Sequence, residues 1–237
     1  GTGNNTKKPK IMLELFNKIL VIAAHPDDEI LGVGGTIPQL TKMGKQVDVL
    51  IFTDGSSTQY FDNEAILEDK FHEAKAANDI LGSKVLPRAD FPDMRLDTIA
   101  HVDKNIALGK VISQGEYDTV FVQDRTDINK DHNEIYESTM VACRPYPGQK
   151  VRHLLSYYVN SSTEWGNLLK KQPFNPNVFI DISESIEDKL KAMAEYTTEI
   201  REYPHPRSIE ALRNSAKYFG NLVGTKYAEP FYLVYSI

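Results

Sequence analysis

One histidine, one proline and three acids stand together at His25-Pro26-Asp27-Asp28-Glu29, directly after a run of apolar residues. Imidazole and carboxylate together suit a divalent cation such as zinc, and a catalytic zinc takes three protein ligands and keeps one position for water. Pro26 fixes one backbone angle, so His25 and Asp28 can turn towards a common point. Asp27 then remains as a carboxylate able to act as a base without being a ligand. A second imidazole, His132, lies a few residues past another apolar run and is the candidate third ligand. A plainer reading competes: Pro followed by acids opens many helices, the acids complementing the helix dipole, and His132 beside Asp131 also fits a helix start. The occurrence of both segments after apolar runs favours the metal. Gly32, Gly34 and Gly35 follow the first segment, but their spacing is not G-x-G-x-x-G and acids stand where a pyrophosphate would sit, so a dinucleotide site is rejected.

Short apolar runs at Lys18 to Ala24, Gln46 to Phe52 and Thr119 to Val122 read as strands buried on both faces, the second followed by the turn signal Thr53-Asp54-Gly55. Helical periodicity covers Asn63 to Leu81, stopped by Gly82, and a further helix is expected from Thr98 to Ser113. Strands alternating with helices imply right-handed crossovers and an α/β, Rossmann-like, mostly parallel sheet with helices on both faces. In such sheets ligands bind beyond the carboxyl ends of the strands, here after Ala24, Phe52 and Val122. The last third reads as a C-terminal extension of one domain: a strand at Val178 to Ile182, a helix from Glu184 to about Ile200, a Pro-rich break at Tyr203 to Ser208, another helix, and a closing strand at Pro230 to Tyr235. Residues 1–14 read as a disordered tail and 15–237 as a single domain.

The formal net charge of −6 and the lack of a basic run argue against a nucleic-acid partner. With the lone Cys143 no internal disulfide can form, and no apolar run reaches membrane-spanning length. Gly1 to Lys10 is polar and lacks an apolar signal core. A cytoplasmic location is therefore expected.

The segment Ala24-His-Pro-Asp-Asp-Glu-Ile-Leu-Gly-Val-Gly-Gly-Thr-Ile37 resembles the signature of the PIG-L/LmbE-like deacetylases, and the resemblance extends from Lys18 to Arg144. It implies removal of an N-acetyl group from a small-molecule or glycoconjugate amino-sugar substrate of the N-acetylglucosamine type. It also implies zinc, or another divalent metal, held by His25 and Asp28, with Asp27 as general base. The family's later loop, written His-x-Asp-His, is matched by Asn129-Lys-Asp131-His132, which makes His132 the last ligand. Asn129 departs from the usual His: an amide can donate a hydrogen bond to an oxyanion but cannot shuttle a proton. Asp131 is expected to orient a neighbouring ligand.

Further positions carry weaker expectations. Lys70 stands where relatives have Arg, and Asp93 lies in a loop resembling one near the family's site. His205 and Arg207, on a Pro-rich loop, suit substrate positioning or plain helix capping by Ser208. Trp165, Tyr157 and Tyr158 offer a stacking face for a sugar, while His72, His101 and His153 are assigned to structure or surface. Two other readings stay open: an amidase acting on a non-sugar amide, and a metal-containing carbohydrate-binding protein with little turnover, the latter supported by Asn129 alone.

Overall fold

The computed structural model describes residues 11–55, 64–89, 91–169 and 172–237. The expected strands are present: β1 (Lys18–Ala23), β2 (Gln46–Ile51), β4 (Thr119–Gln123), β6 (Val178–Asp181) and β7 (Ala228–Ser236), joined by a short β3 (Lys84–Val85) and by β5 (His153–Tyr157). They form one seven-stranded sheet in the order β3-β2-β1-β4-β5-β7-β6. β1 to β5 pair in parallel, and β7 runs antiparallel between β5 and β6. The closing strand is thus an interior one, and the C-terminal third extends the same sheet.

Apolar side chains alternate across the central strands because the strand period is two. Ile19, Val21 and Ala23 face one core with Val49 and Ile51, while Leu20, Ile22 and Ala24 face the other with Val120 and Val122. The first core is covered by α3 (Ile37–Lys42), α4 (Glu64–Leu81), α8 (Ile186–Glu195) and α9 (Ile209–Val223), through residues such as Leu40, Ala77, Met193 and Leu212. The second is covered by α5 (His101–Gly115) and α6 (Lys130–Ala142), through Leu108, Ile112 and Ile135. Both faces being covered explains why the strand sequences read as continuous apolar runs.

Several expectations are corrected. The helix expected from Thr98 begins at His101, after a 3₁₀ turn at Leu96–Thr98. The helix expected to reach Ile200 ends at Glu195, and the following loop brings Glu199 to the site. A short helix α1 (Ile11–Leu15) enters the stretch read as tail, and its Leu13 is buried beside Phe16. Tyr157 cannot stack on a sugar: it is fully buried, donates to the Ile22 carbonyl at 2.6 Å, and packs so closely that a Cβ on Gly32 would meet its ring. Tyr158 packs against Phe174 and Phe219, whereas Trp165, on α7 (Thr163–Leu169), is exposed.

A buried ion pair ties the last strand to the segment that follows β1. Lys189 Nζ on α8 lies 2.7 Å from Glu229 Oε1 on β7 and donates to the Leu31 carbonyl at 2.8 Å. Glu229 also accepts from the backbone N–H groups of Gly35 and Thr36 and from the Thr36 hydroxyl. Removing one partner of a buried pair strands the other in low dielectric. Lys189→Met is expected to cost about 3–5 kcal/mol of folding stability, measured as a lower urea midpoint with an unchanged denaturant slope.

Candidate active site

The chain leaves β1 at its carboxyl end and turns sharply. Asp27 sits in the left-handed region at φ 102°, as the residue preceding the six-residue helix α2 (Asp28–Val33). Glu29 Oε2 accepts the Asp27 N–H at 3.2 Å, and Asp28 Oδ2 accepts the His25 N–H at 2.8 Å, so the acids of this segment hold its own turn. Glu29 is in turn fixed by Asn78 Nδ2 and the Tyr196 hydroxyl, and burial pushes its carboxyl up to about 7. Gly55, at φ 74°, completes the enclosure: a Cβ there would meet the Pro26 ring at 2.6 Å.

Three ligand-type atoms converge at the centre. His25 Nδ1 and His132 Nε2 are 3.2 Å apart, and Asp28 Oδ2 lies 3.4 Å from the first and 3.2 Å from the second. Ligands about 2.0–2.1 Å from a tetrahedral zinc sit about 3.3 Å from one another. The triangle is therefore already the size of one face of such a site, and its His/His/carboxylate donor set suits zinc and other divalent ions.

The outer nitrogen of each imidazole meets a carboxylate. His25 Nε2 lies 3.0 Å from Asp131 Oδ2 and 3.3 Å from Asp93 Oδ1, and His132 Nδ1 lies 3.0 Å from Asp127 Oδ2. Such partners fix the tautomer and ring orientation of a ligating histidine. Asp131 is held by the N–H groups of Met94 and Leu96, and Asp127 by the Asn129 N–H and the hydroxyls of Ser162 and Thr163. Gln123 Nε2 at the end of β4 donates to Asp28 Oδ2 at 3.0 Å.

The electrostatics follow from burial and these pairings. Burial works against charge on His25, but Asp131, Asp28 and Asp93 outweigh it and hold its pKa well above the ordinary value. Burial is likewise outweighed at His132, which Asp28 and Asp127 raise to about 10. Asp28 is pulled far below the carboxylate range, against its burial, by the two imidazoles. Asp27 moves the other way: burial, then Asp28 and Glu199, raise its pKa, with Arg207 opposing.

The cavity has a volume of about 210 Å³ and is lined by His25, Asp27, Asp28, Lys70, Asp93, Asn129, His132, Glu199 and Arg207 among others. Most of the residues singled out in the sequence are therefore brought together. Asp131 stands behind His25. Asn129 spends its side-chain oxygen on the Asp131 N–H as the cap of α6, leaving Nδ2, 3.8 Å from Met94 Sδ, as its donor end. Lys70 reaches the wall, but its ammonium is occupied by Glu199 Oε1 at 2.6 Å and the Gly55 carbonyl at 2.8 Å. Arg207 Nη1 bridges Glu199 Oε2 at 2.8 Å and Asp27 Oδ2 at 3.5 Å. His205 is not among the lining residues; its Nδ1 accepts the Arg207 N–H and so shapes the loop that delivers the guanidinium. Sequence reasoning missed Gln123, Asp127 and Glu199. A carboxylate five residues before His132 in the same loop was a usable signal for Asp127, whereas the other two arrive only through tertiary folding.

An α/β sheet with histidines and carboxylates gathered beyond the ends of β1 and β4 defines a candidate metal-assisted hydrolase. The chain belongs to the PIG-L family, described as GlcNAc-PI de-N-acetylase, which it matches over residues 20–143. It is 30% identical over 228 residues to a diacetylchitobiose deacetylase from Thermococcus kodakarensis, covering 91% of this chain and 84% of that one. A probable N-acetyl-alpha-D-glucosaminyl L-malate deacetylase from Bacillus cereus is 26% identical over 76% of this chain and 83% of its own length. In structure, the N,N'-diacetylchitobiose deacetylase of Pyrococcus horikoshii superposes with a TM-score of 0.78 at 22% identity, over 96% of this chain and 87% of that one, which establishes the shared fold. These relatives are deacetylases, hydrolases of linear amides. No helix among the described residues is long and apolar enough to cross a membrane.

The raised His132 pKa has a consequence for the metal-free protein. Its protonated form stabilises the fold fully below about 6.5, and that contribution is lost as pH rises through about 10. Asp127→Asn removes one of the carboxylates responsible. The stability gap between the wild-type and variant proteins, measured by denaturant titration after chelation, is expected to be largest below pH 6.5 and to narrow towards pH 10.

Proposed function

We propose that this protein is a zinc-dependent hydrolase that deacetylates an N-acetylated amino sugar of the N-acetylglucosamine type. The observation that carries the reading is the triangle of His25 Nδ1, Asp28 Oδ2 and His132 Nε2, with edges of 3.2–3.4 Å, beside the carboxylate of Asp27. His25, Asp28 and His132 would hold the ion. When bound, zinc supplies Lewis acidity that lowers the pKa of water and polarises the acyl carbonyl.

The chain's own residues do the remaining work. Asp27 takes a proton from the attacking water and returns it to the departing amine. Burial, Asp28 and Glu199 raise its pKa, and Arg207, joined by a cation when one is bound, would favour the ionised form it needs as a base. Asn129 Nδ2 donates to the oxygen on which negative charge develops. Asp131 and Asp127 keep the two imidazoles turned inward.

Lys70 positions Glu199, and Glu199 orients Arg207; Arg207 and Asp93, both lining the cavity, are the groups we assign to substrate hydroxyls. The cavity, at about 210 Å³, is smaller than the roughly 300–1,000 Å³ usual for drug-sized ligands. It admits the acetamido group and its ring, with the rest of a conjugate lying outside.

The test is metal content together with primary-amine release from N-acetylglucosamine and several of its glycosides. We expect roughly one zinc per chain, loss of amine release on chelation, and a drop of about 10²–10⁴-fold for Asp27→Ala. Zinc without release from any of these sugars would move the reading to a non-sugar amide or a binding role. No bound metal after zinc is supplied would sink it.

A further inference from the structure

Lys104 is a lysine with 1% of its surface exposed, on α5, and it takes no part in the cavity. Burying an ammonium is costly unless every proton finds an acceptor. Here all three do: Nζ donates to the Leu96 carbonyl at 2.6 Å and the Ile99 carbonyl at 3.0 Å, and pairs with Glu134 Oε2 on α6 at 2.6 Å. The two carbonyls belong to the turn that follows Asp93 and Met94. That turn is irregular: Met94 stands at φ 56°, a conformation that a non-glycine residue adopts only when its surroundings hold it there.

The same turn is what Asp131 grips. Its Oδ2 accepts the Met94 N–H at 2.7 Å and its Oδ1 the Leu96 N–H at 3.1 Å. Oδ2 is also 3.0 Å from His25 Nε2. Leu96 therefore carries a contact on each side of its peptide unit, its carbonyl on Lys104 and its N–H on Asp131. Glu134, three residues beyond Asp131 on α6, ties Lys104 back to the helix whose first turn bears both Asp131 and His132.

We infer that Lys104 is a positioning residue for the metal centre. By fixing the carbonyls of Leu96 and Ile99, it sets the two N–H groups that aim Asp131 at His25, and so sets the angle at which His25 Nδ1 faces Asp28 and His132. This inference rests on the zinc reading above but concerns a residue outside the cavity. Without the ammonium, the Leu96 and Ile99 carbonyls lose their side-chain donor, and the N–H groups that aim Asp131 lose one of their anchors. Partners that orient a ligating histidine are worth roughly 10- to 100-fold in metal affinity.

The experiment is zinc competition against a chromophoric chelator, with the absorption spectrum of the cobalt-substituted protein as a second readout. It compares wild type, Lys104→Met, Asp131→Asn and the double variant. Lys104→Met is expected to weaken zinc binding by roughly 10- to 100-fold and to shift the cobalt bands. In the Asp131→Asn background the same change should have little further effect, because its route to the metal is already cut. Lys104→Arg, which keeps donors for the two carbonyls, should recover most of the loss. A Lys104→Met protein that melts earlier but binds zinc as tightly as wild type overturns the inference, and so does an equal loss in both backgrounds. Should Lys104→Met not fold, Lys104→Gln takes its place under the same criteria. A wild-type chain that binds no zinc removes the metal reading itself, whereas tight wild-type binding unaffected by Lys104 removes only this relay.

Discussion

Two imidazole nitrogens 3.2 Å apart, with a carboxylate oxygen completing the triangle, form an arrangement that buried protein cannot leave uncompensated. With the ring hydrogens on the outer nitrogens, beside Asp131 and Asp127, the inner pair turns lone pairs towards each other. A proton or a cation in that space relieves the repulsion. Without a metal, Asp28 and Asp127 favour a proton on His132, raising its pKa to about 10 against its burial, while the two imidazoles pull Asp28 below the carboxylate range. A bound dication would take up both inner lone pairs and leave the outer nitrogens to their carboxylates. Most of what surrounds the site is accounted for by the need to hold these three atoms at that spacing.

The sheet meets that need through strand adjacency. β1 and β4 are neighbours and pair in parallel, so the loops that leave them open side by side and bring His25 and His132, 107 residues apart in sequence, into contact. β2 lies on the other flank of β1 and contributes Gly55, whose carbonyl anchors Lys70. The C-terminal third adds the remaining wall, with Glu199 and Arg207 opposite Asp27.

The legibility of these features in the sequence tracks how local they are. His25, Asp27 and Asp28 announce themselves because one tight turn needs all of them within four residues. His132 was recognisable by its place after an apolar run. Gln123, Glu199 and Lys104 are ordinary residue types whose roles exist only once distant segments meet. β5 went unread because His153 and Ser156 interrupt its apolar character; the Ser156 hydroxyl is satisfied by Asp124, a partner from the neighbouring strand's loop. Missing that strand is what made Tyr157 look available, when its ring is a wall of the core under Gly32. Asn129 is read from sequence as a hydrogen-bond donor to an oxyanion; that its amide oxygen caps a helix is visible only in the fold.

β7 has a consequence for how the molecule is made. It is inserted between β5 and β6, so neither of those strands has its full set of partners until β7 arrives. During synthesis, β1 to β5 can assemble as they emerge, but the sheet keeps an open edge beside β5, and β6 waits unpaired. An unprotected edge of this kind is a template for pairing with other chains. Glu229 arrives on the same strand, and with it the acceptor for the backbone at Gly35 and Thr36. A nascent chain on the ribosome would thus carry His25, Asp28 and His132 long before it had the strand that seals the sheet around them.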